Sequence, residues 1–321
     1  MNQPVAISTH ELTVGYQHKA GDHVLLKKLN LEVGVGELVS FMGPNGIGKS
    51  TLIRTLAQIH PPLGGVIRNQ TRQKGALVLT DRVQSQAMKV HELVSYGRYP
   101  YLSWTLRMNS NDMAKVQAAM ERLRIIHLAE QRIAELSDGQ MQMVMIARAL
   151  AQDTTLLLLD EPTAHLDLNN RVEVMSLLRE IAREENKAIL VATHELDLAL
   201  QTSDLIWLAT NDKSIKTGLP EDLVLDGSFD EVFKFKGFDL KTGKVVHQPF
   251  RKSAIRLGGD GPVYLWTKNA LERTGFTVGD VGELSITIQE GPPLAWKLSK
   301  QNSVRQASSI GELIRLIEKG D

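Results

Sequence analysis

Four short stretches of this chain carry residue types whose spacing suits phosphate chemistry. Gly43 to Ser50 reads GPNGIGKS and fits the pattern G-x-x-x-x-G-K-[ST]. The backbone N–H groups of such a loop face inward toward phosphate oxygens, helped by the positive end of the helix that follows. Lys49 is then placed for the β- and γ-phosphates, and Ser50 offers its hydroxyl to Mg²⁺. A second stretch, LLLLDEP, ends an apolar run in Asp160 and Glu161. Alone, that carboxylate pair is as readily a solvated strand end. Beside a phosphate loop, Asp160 is the acid that organises Mg²⁺, and Glu161 is the base that orients and deprotonates an attacking water. His194 closes a third stretch, KAILVATH, and LSDGQ at 136–140 opens a helix whose N-terminus suits an anion.

The elements that must hold these residues follow from periodicity. From Val5 to Phe41 short alternating runs (ELTV, HVLLKKLNLEV, ELVSFM) read as strands, and GPNGIGKSTLIRTLAQI passes from a glycine loop into a helix that stops at Pro61 and Pro62. ALVLT is a further strand. From about Gln84 to Ala151 apolar residues recur at helical spacing, which gives a largely helical insertion. TLLLLD and KAILVAT are continuous apolar runs of the kind found in buried parallel strands, with the helix VEVMSLLREIAREE between them, and LIWLAT with SIKTGLP closes as a hairpin. In an α/β sheet of this kind His194 lies at the carboxyl end of its strand, where such folds place ligands. Met141, Met143, Met145 and Ile146 read as packing residues rather than ligands.

After roughly Gly227 the texture changes to short strands (PVYLWT, ELSITIQ, LAWKL) and two short helices, near KNALERTG and SIGELIRLIEKG. This places a domain boundary between Leu225 and Phe235, taken at 226/227, and predicts a compact C-terminal α+β domain over 227–321. Trp266 and Trp296 are expected in strands and buried, His247 is isolated, and no chemical motif is present there.

Composition narrows the function. At 321 residues, 42% hydrophobic and 23% charged, the chain suits one large domain with a smaller one. Lys and Arg number 37 against 37 for Asp and Glu, so the basic footprint of a dedicated nucleic-acid binder is missing and no nucleic-acid partner is expected. With no cysteine there is no disulfide framework or thiolate site, and a cytoplasmic setting is expected. The N-terminus lacks a signal-peptide pattern, and no apolar run approaches the roughly 20 residues that cross a bilayer.

Taken together, GPNGIGKST, LSDGQ, LLLLDEP, AHLD at 164–167 and the histidine of ATHE resemble, in order and approximate spacing, the ATPase subunits of ABC transporters over about residues 5–225. The resemblance implies a cassette over 1–226 with a RecA-like parallel sheet core, an antiparallel β subdomain and a helical subdomain at about 84–151. It implies ATP binding by Gly43, Pro44, Asn45, Gly46, Gly48, Lys49, Ser50 and Thr51, with Tyr16 stacked on adenine. It also implies a homodimer in which Ser137, Gly139 and Gln140 contact the γ-phosphate of ATP on the partner, while Asp167 touches the opposite cassette. Glu161 and His194 are the implied catalytic residues, and Ser50 with Asp160 the implied Mg²⁺ ligands. Two departures stand out. LSDGQ replaces the commoner LSGGQ, so the side chain at 138 points away from phosphate. Thr80 or Asp81 stands where the family usually places a glutamine, with Gln84 and Gln86 farther along.

The segment ELVSYGRYPYLSW, Glu92 to Trp104, is similar to importers of iron-siderophore complexes, haem and cobalamin; as plain structure it is an amphipathic helix ending at Pro100. Transmembrane permease subunits are the implied partners, with a periplasmic or surface substrate-binding protein acting indirectly, at the cytoplasmic face of the inner (cell) membrane. An exporter with separate membrane subunits and a soluble ABC ATPase are the alternatives. The appended domain is expected to regulate or to stabilise the dimer.

Overall fold

A computed structural model describes residues 4–318 except 20, 71–74, 80–86, 236, 237, 242, 243, 246–248, 252, 290, 292, 301 and 302. The atypical segment at Thr80, Asp81, Gln84 and Gln86, and also His247, lie outside the described residues. The chain divides into two compact units, Met1–Lys234 and Phe235–Asp321. The expected join at 226/227 lies inside a local network. There Lys216 Nζ donates to Asp226 Oδ2 at 2.7 Å and to Ser228 Oγ at 2.6 Å, and Phe229 just beyond is fully buried.

The first unit opens with β1 (Val5–Tyr16), β2 (His23–Leu29), β3 (Glu32–Gly34), β4 (Leu38–Met42), α1 (Lys49–Leu56) and β5 (Gly64–Asn69). Strands β2, β3 and β5 all pair antiparallel with the long β1, which gives the antiparallel β subdomain. β6 (Ala76–Val78) leads to the helical part: α2 (Val90–Ser95), α3 (Ser110–Arg122) and α4 (Asp138–Ala151). Then follow β7 (Leu156–Asp160), α5 (Leu168–Glu184), β8 (Ala188–Ala192), α6 (Leu196–Thr202), β9 (Leu205–Ala209), β10 (Ile215–Gly218), α7 (Pro220–Leu225) and α8 (Ser228–Phe233).

The central sheet has six strands in the order β10-β9-β4-β8-β7-β6, parallel throughout except for the β9–β10 hairpin. LLLLD and AILVA are apolar at every position because both faces of this sheet are covered. Leu157, Leu159, Ile189 and Val191 join the core under α2, α3, α4 and α5, whereas Leu156, Leu158, Ala188 and Leu190 join Phe41, Leu52 and Ile53 on the other face. The period-2 alternation of a strand is thus preserved inside an unbroken apolar run. Met143, Met145 and Ile146 are buried in the core, as packing residues should be.

YGRYPY is a 3-10 turn over Tyr96–Tyr101 that follows α2 and carries Pro100 within it. Its sequence answers to packing. A β-carbon at Gly97 would lie 2.2 Å from the Arg148 carbonyl of α4, so only glycine fits. The buried Arg98 donates from Nε to Asp112 Oδ1 at 3.0 Å and from Nη1 to the Ala151 carbonyl at 2.9 Å, and lies 4.2 Å from the Tyr101 ring. One guanidinium therefore ties this turn to α3 and to the end of α4.

The second unit has the short pair β11 (Phe238–Asp239) and β12 (Lys244–Val245), then β13 (Ala254–Gly258), α9 (Gly261–Arg273), β14 (Thr277–Gly279), β15 (Leu284–Gln289), β16 (Ala295–Lys300), β17 (Ser303–Ala307) and α10 (Ile310–Glu318). Five strands form a mixed sheet in the order β14-β13-β15-β16-β17. Its core includes Ile255, Leu271, Phe276, Ile286, Trp296 and Leu313. One expectation fails here. PVYLWT is not a strand but the first half of α9, started by Gly261 and Pro262 at the helix N-terminus. Val263 and Tyr264 pack on the core with Leu271, the i, i+1, i+8 stripe of a helix, so Trp266 turns outward and is 68% exposed. Trp296 is buried in β16, and its indole N–H donates to Thr267 Oγ1 of α9 at 2.8 Å.

Replacing Arg98 by Met leaves the Asp112 carboxylate buried without its charge partner. The unfolding temperature of the first unit should fall by on the order of 10 °C in a calorimetric scan of the full chain.

Candidate functional site

Three neighbouring strands deliver the site. In register, Phe41 of β4 pairs with Ala192 of β8, and Ala192 pairs with Asp160 of β7. The segments that leave these strands, GPNGIGKS, Glu161 onward and Thr193–His194, therefore emerge side by side at one edge of the sheet. Each must turn at once. Gly43, Gly46 and Gly48 hold φ of 155°, 79° and 112°. Glu161, though not glycine, holds φ 51°, with its N–H donated to the Ala192 carbonyl at 2.8 Å. A side-chain residue held in this left-handed region is a strained conformation of the kind that collects at functional sites.

Lys49 begins α1, and no side chain caps that helix or places an acid in its first turn, so its positive end is uncompensated. The buried Lys49 ammonium donates to the Gly43 carbonyl at 2.9 Å and reaches the Pro44 carbonyl at 3.4 Å. Burial pushes its pKa below the ordinary lysine value, and the charges of Glu161 and Asp160 oppose that shift. Ser50 Oγ donates to Asp160 Oδ1 at 3.0 Å. His194 Nδ1 lies 2.6 Å from Glu161 Oε2. Loop lysine, the Ser50–Asp160 pair and the Glu161–His194 pair thus gather at one edge of the sheet.

Tyr16 ends β1 with its hydroxyl 3.0 Å from Thr51 Oγ1 and its ring 5.0 Å from that of His60, which also hydrogen-bonds the Gly15 carbonyl at 2.7 Å. The half-exposed tyrosine borders the loop that α1 follows. Pro44, Asn45 and Gly46 form the outer, more exposed part of that loop. His60 was not singled out by sequence, because only the pairing of β1 with the segment after α1 brings it to Tyr16.

The LSDGQ residues take a different position in the fold. Ser137 caps α4: its Oγ accepts the Gln140 N–H at 3.2 Å, while Gln140 Oε1 accepts the Ser137 N–H at 3.0 Å. Asp138 is exposed and Gly139 buried. α4 packs on α2, α3 and β6, whereas α1 packs on β1, β7 and β8. Asp167 caps α5, accepting the Asn170 N–H at 2.9 Å and its side-chain amide at 3.0 Å. A β-carbon on Gly139 would meet that Asn170 amide at 3.0 Å, so the start of α4 abuts the start of α5. Sequence reading also passed over Glu195 and Arg171, which form an ion pair at 2.7 Å beside His194.

The ABC transporter family profile matches residues 26–164, and the iron ABC transporter C-terminal domain profile matches residues 251–318. A probable siderophore transport system ATP-binding protein of Bacillus subtilis is 35% identical over 240 residues, spanning 71% of this chain and 86% of that protein. The iron(3+)-hydroxamate import ATP-binding protein of the same organism is 34% identical, spanning 75% and 93%. Among solved structures, a transporter described as of the metal-chelate ABC type, in an inward-facing conformation, superposes with a TM-score of 0.65 at 30% identity, covering 72% of this chain and 89% of that one. A dimeric bacterial ABC transporter cassette superposes with a TM-score of 0.58 at 25% identity, covering 67% and 98%. The fold is that of an ABC ATPase cassette followed by a small α+β unit. The chain belongs to the family of ABC transporter ATP-binding subunits. Among the described residues no helix is long and apolar enough to cross a membrane.

Gly48 tests the loop. At φ 112° an added β-carbon would be strained and would lie 3.0 Å from Leu25 Cβ. Gly48→Ala should weaken ATP binding by about tenfold or more, in keeping with a backbone cost of roughly 1–3 kcal/mol, as read by titration with a fluorescent nucleotide.

Proposed function

We propose that this chain is the ATP-hydrolysing, energy-coupling subunit of an importer for a metal-chelate nutrient, of the iron-siderophore, haem or cobalamin kind. The observation that carries the reading is the convergence of Lys49, the Ser50–Asp160 pair and the Glu161–His194 pair at the ends of adjacent parallel strands. The relatives named for siderophore and hydroxamate import, together with the match of residues 251–318, favour import over export or a soluble role.

In this reading Gly43, Pro44, Asn45, Gly46, Gly48, Lys49, Ser50 and Thr51 bind the phosphates, and Tyr16 stacks on the base. Ser50 and Asp160 supply oxygen ligands, the kind Mg²⁺ takes alongside phosphate oxygens, so the residues present fit that ion. Bound there, Mg²⁺ would neutralise charge on the phosphates. Glu161 accepts the proton of the attacking water, and His194, hydrogen-bonded to it, fixes the carboxylate's direction.

The working unit is a homodimer in which Ser137, Gly139 and Gln140 serve the nucleotide of the partner and Asp167 meets the opposite cassette. Permease subunits carry the substrate and receive the motion, and a periplasmic or surface binding protein delivers it, with this chain on the cytoplasmic face of the cell membrane. Residues 1–226 carry this chemistry, and 227–321 regulate it or stabilise the dimer.

Glu161→Gln keeps the shape of the side chain and removes the base. ATP binding should persist while the steady-state ATPase rate of the purified chain falls by roughly 10²–10⁴. The ATP-bound variant should elute as a dimer on size-exclusion chromatography.

A further inference from the structure

We propose that Arg171 is a positioning residue for hydrolysis: it takes up the charge of Glu195, so that His194 stays on Glu161, and it ties that arrangement to the turn at Leu166. The inference rests on the roles proposed above for Glu161 and His194.

His194 lies between two carboxylates. Its Nδ1 is 2.6 Å from Glu161 Oε2, and its Nε2 is 3.5 Å from Glu195 Oε1. A neutral imidazole has one N–H and one lone pair, so it can donate to only one of the two. Glu195 is therefore a competitor for the proton that His194 offers Glu161. Its backbone N–H is anchored on Thr193 Oγ1 at 3.0 Å, which keeps its side chain close to the imidazole. Arg171 settles the competition. Its Nη1 lies 2.7 Å from Glu195 Oε1, the same oxygen that faces His194, and takes up that charge.

The other arm of the guanidinium points elsewhere. Arg171 Nε donates to the Leu166 carbonyl at 2.7 Å, one residue before Asp167 caps α5. Asn170, bound to Asp167, abuts Gly139 at the start of α4. A continuous set of contacts thus runs from the signature segment, which the proposed dimer turns toward the partner's nucleotide, through Asp167 and Arg171 to the base beside this chain's own nucleotide. Arginine suits the join because its planar fork presents donors in two fixed directions. Lysine has a single point of charge and cannot keep both contacts.

Steady-state ATPase kinetics on the full-length chain test this. In Arg171→Met the unpaired Glu195 should draw His194 off Glu161, lowering kcat by about tenfold while KM for ATP stays within about twofold. The unfolding temperature should stay close to wild type. Arg171→Lys should recover part of the loss. The decisive variant is the double one, Arg171→Met with Glu195→Gln. Removing the competing charge should restore a large part of kcat, which a merely structural role for Arg171 would not allow. If the methionine variant does not accumulate, Arg171→Gln and its double with Glu195→Gln are read in the same way. Wild-type kcat in the single variant, or a double variant no faster than the single, overturns the inference. Wild type and Glu161→Gln run alongside. If they differ as expected while Arg171→Met is fully active, only this inference falls. If wild type does not hydrolyse ATP, or Glu161→Gln matches it, the reading of the site falls and this inference falls with it.

Discussion

The structure depends on one register. Parallel pairing of β4 with β8 and of β8 with β7 sets Phe41, Ala192 and Asp160 in a row. Parallel strands in one sheet end at the same edge, so segments about 120 and 150 residues beyond the first leave it as its neighbours. A shift by one residue would turn the apolar set of β7 inside out, exchanging the face under α4 and α5 for the face under α1. Both faces are buried, so both resist that slip. The precision of the site is therefore a consequence of packing on the two sides of the sheet, and the chemistry comes from the first residues beyond the strand ends.

Charge is arranged around that edge in opposition to burial. Lys49 is a cation with little solvent around it, and desolvation alone would favour its neutral form. Two carboxylates, at the end of β7 and just beyond it, and two loop carbonyls work against this. The same carboxylates are engaged elsewhere, Asp160 by the Ser50 hydroxyl and Glu161 by His194. Each charged group is thus partnered before any phosphate arrives. In the proposed function a triphosphate would bring negative charge to the lysine and the helix end, where the site is positive, while the carboxylates make it negative where water would be activated.

How much was legible in the sequence divides along a physical line. Residues whose role is set by local backbone geometry were readable: the glycines of the loop, LSDGQ as the start of a helix, and the apolar runs of β7 and β8. Asp160 and Glu161 were readable because they follow directly on such a run. Where side chains from separate elements meet, the sequence was silent. Arg98, Arg171, Glu195 and His60 gain their partners through the packing of α3, α5, α6 and β1, and nothing in their neighbours marks them. PVYLWT failed for another reason. Its aromatic and β-branched residues favour a strand, but the stripe formed by Val263, Tyr264 and Leu271 finds a core only as a helix.

The cap on α4 has a further implication for how a signature segment can bind an anion. A helix N-terminus attracts phosphate because its first N–H groups lack acceptors. Here Ser137 Oγ already accepts one of them and Gln140 Oε1 accepts the Ser137 N–H. The cap does not spend the donors that matter. A hydroxyl that accepts one hydrogen bond still carries its own proton, and a side-chain amide that accepts through oxygen still carries its NH₂ group. Ser137 and Gln140 can therefore remain locked to each other and present O–H and N–H outward. The segment reaches this geometry within one chain, so in the proposed dimer a partner's nucleotide would meet donors whose orientation has already been fixed.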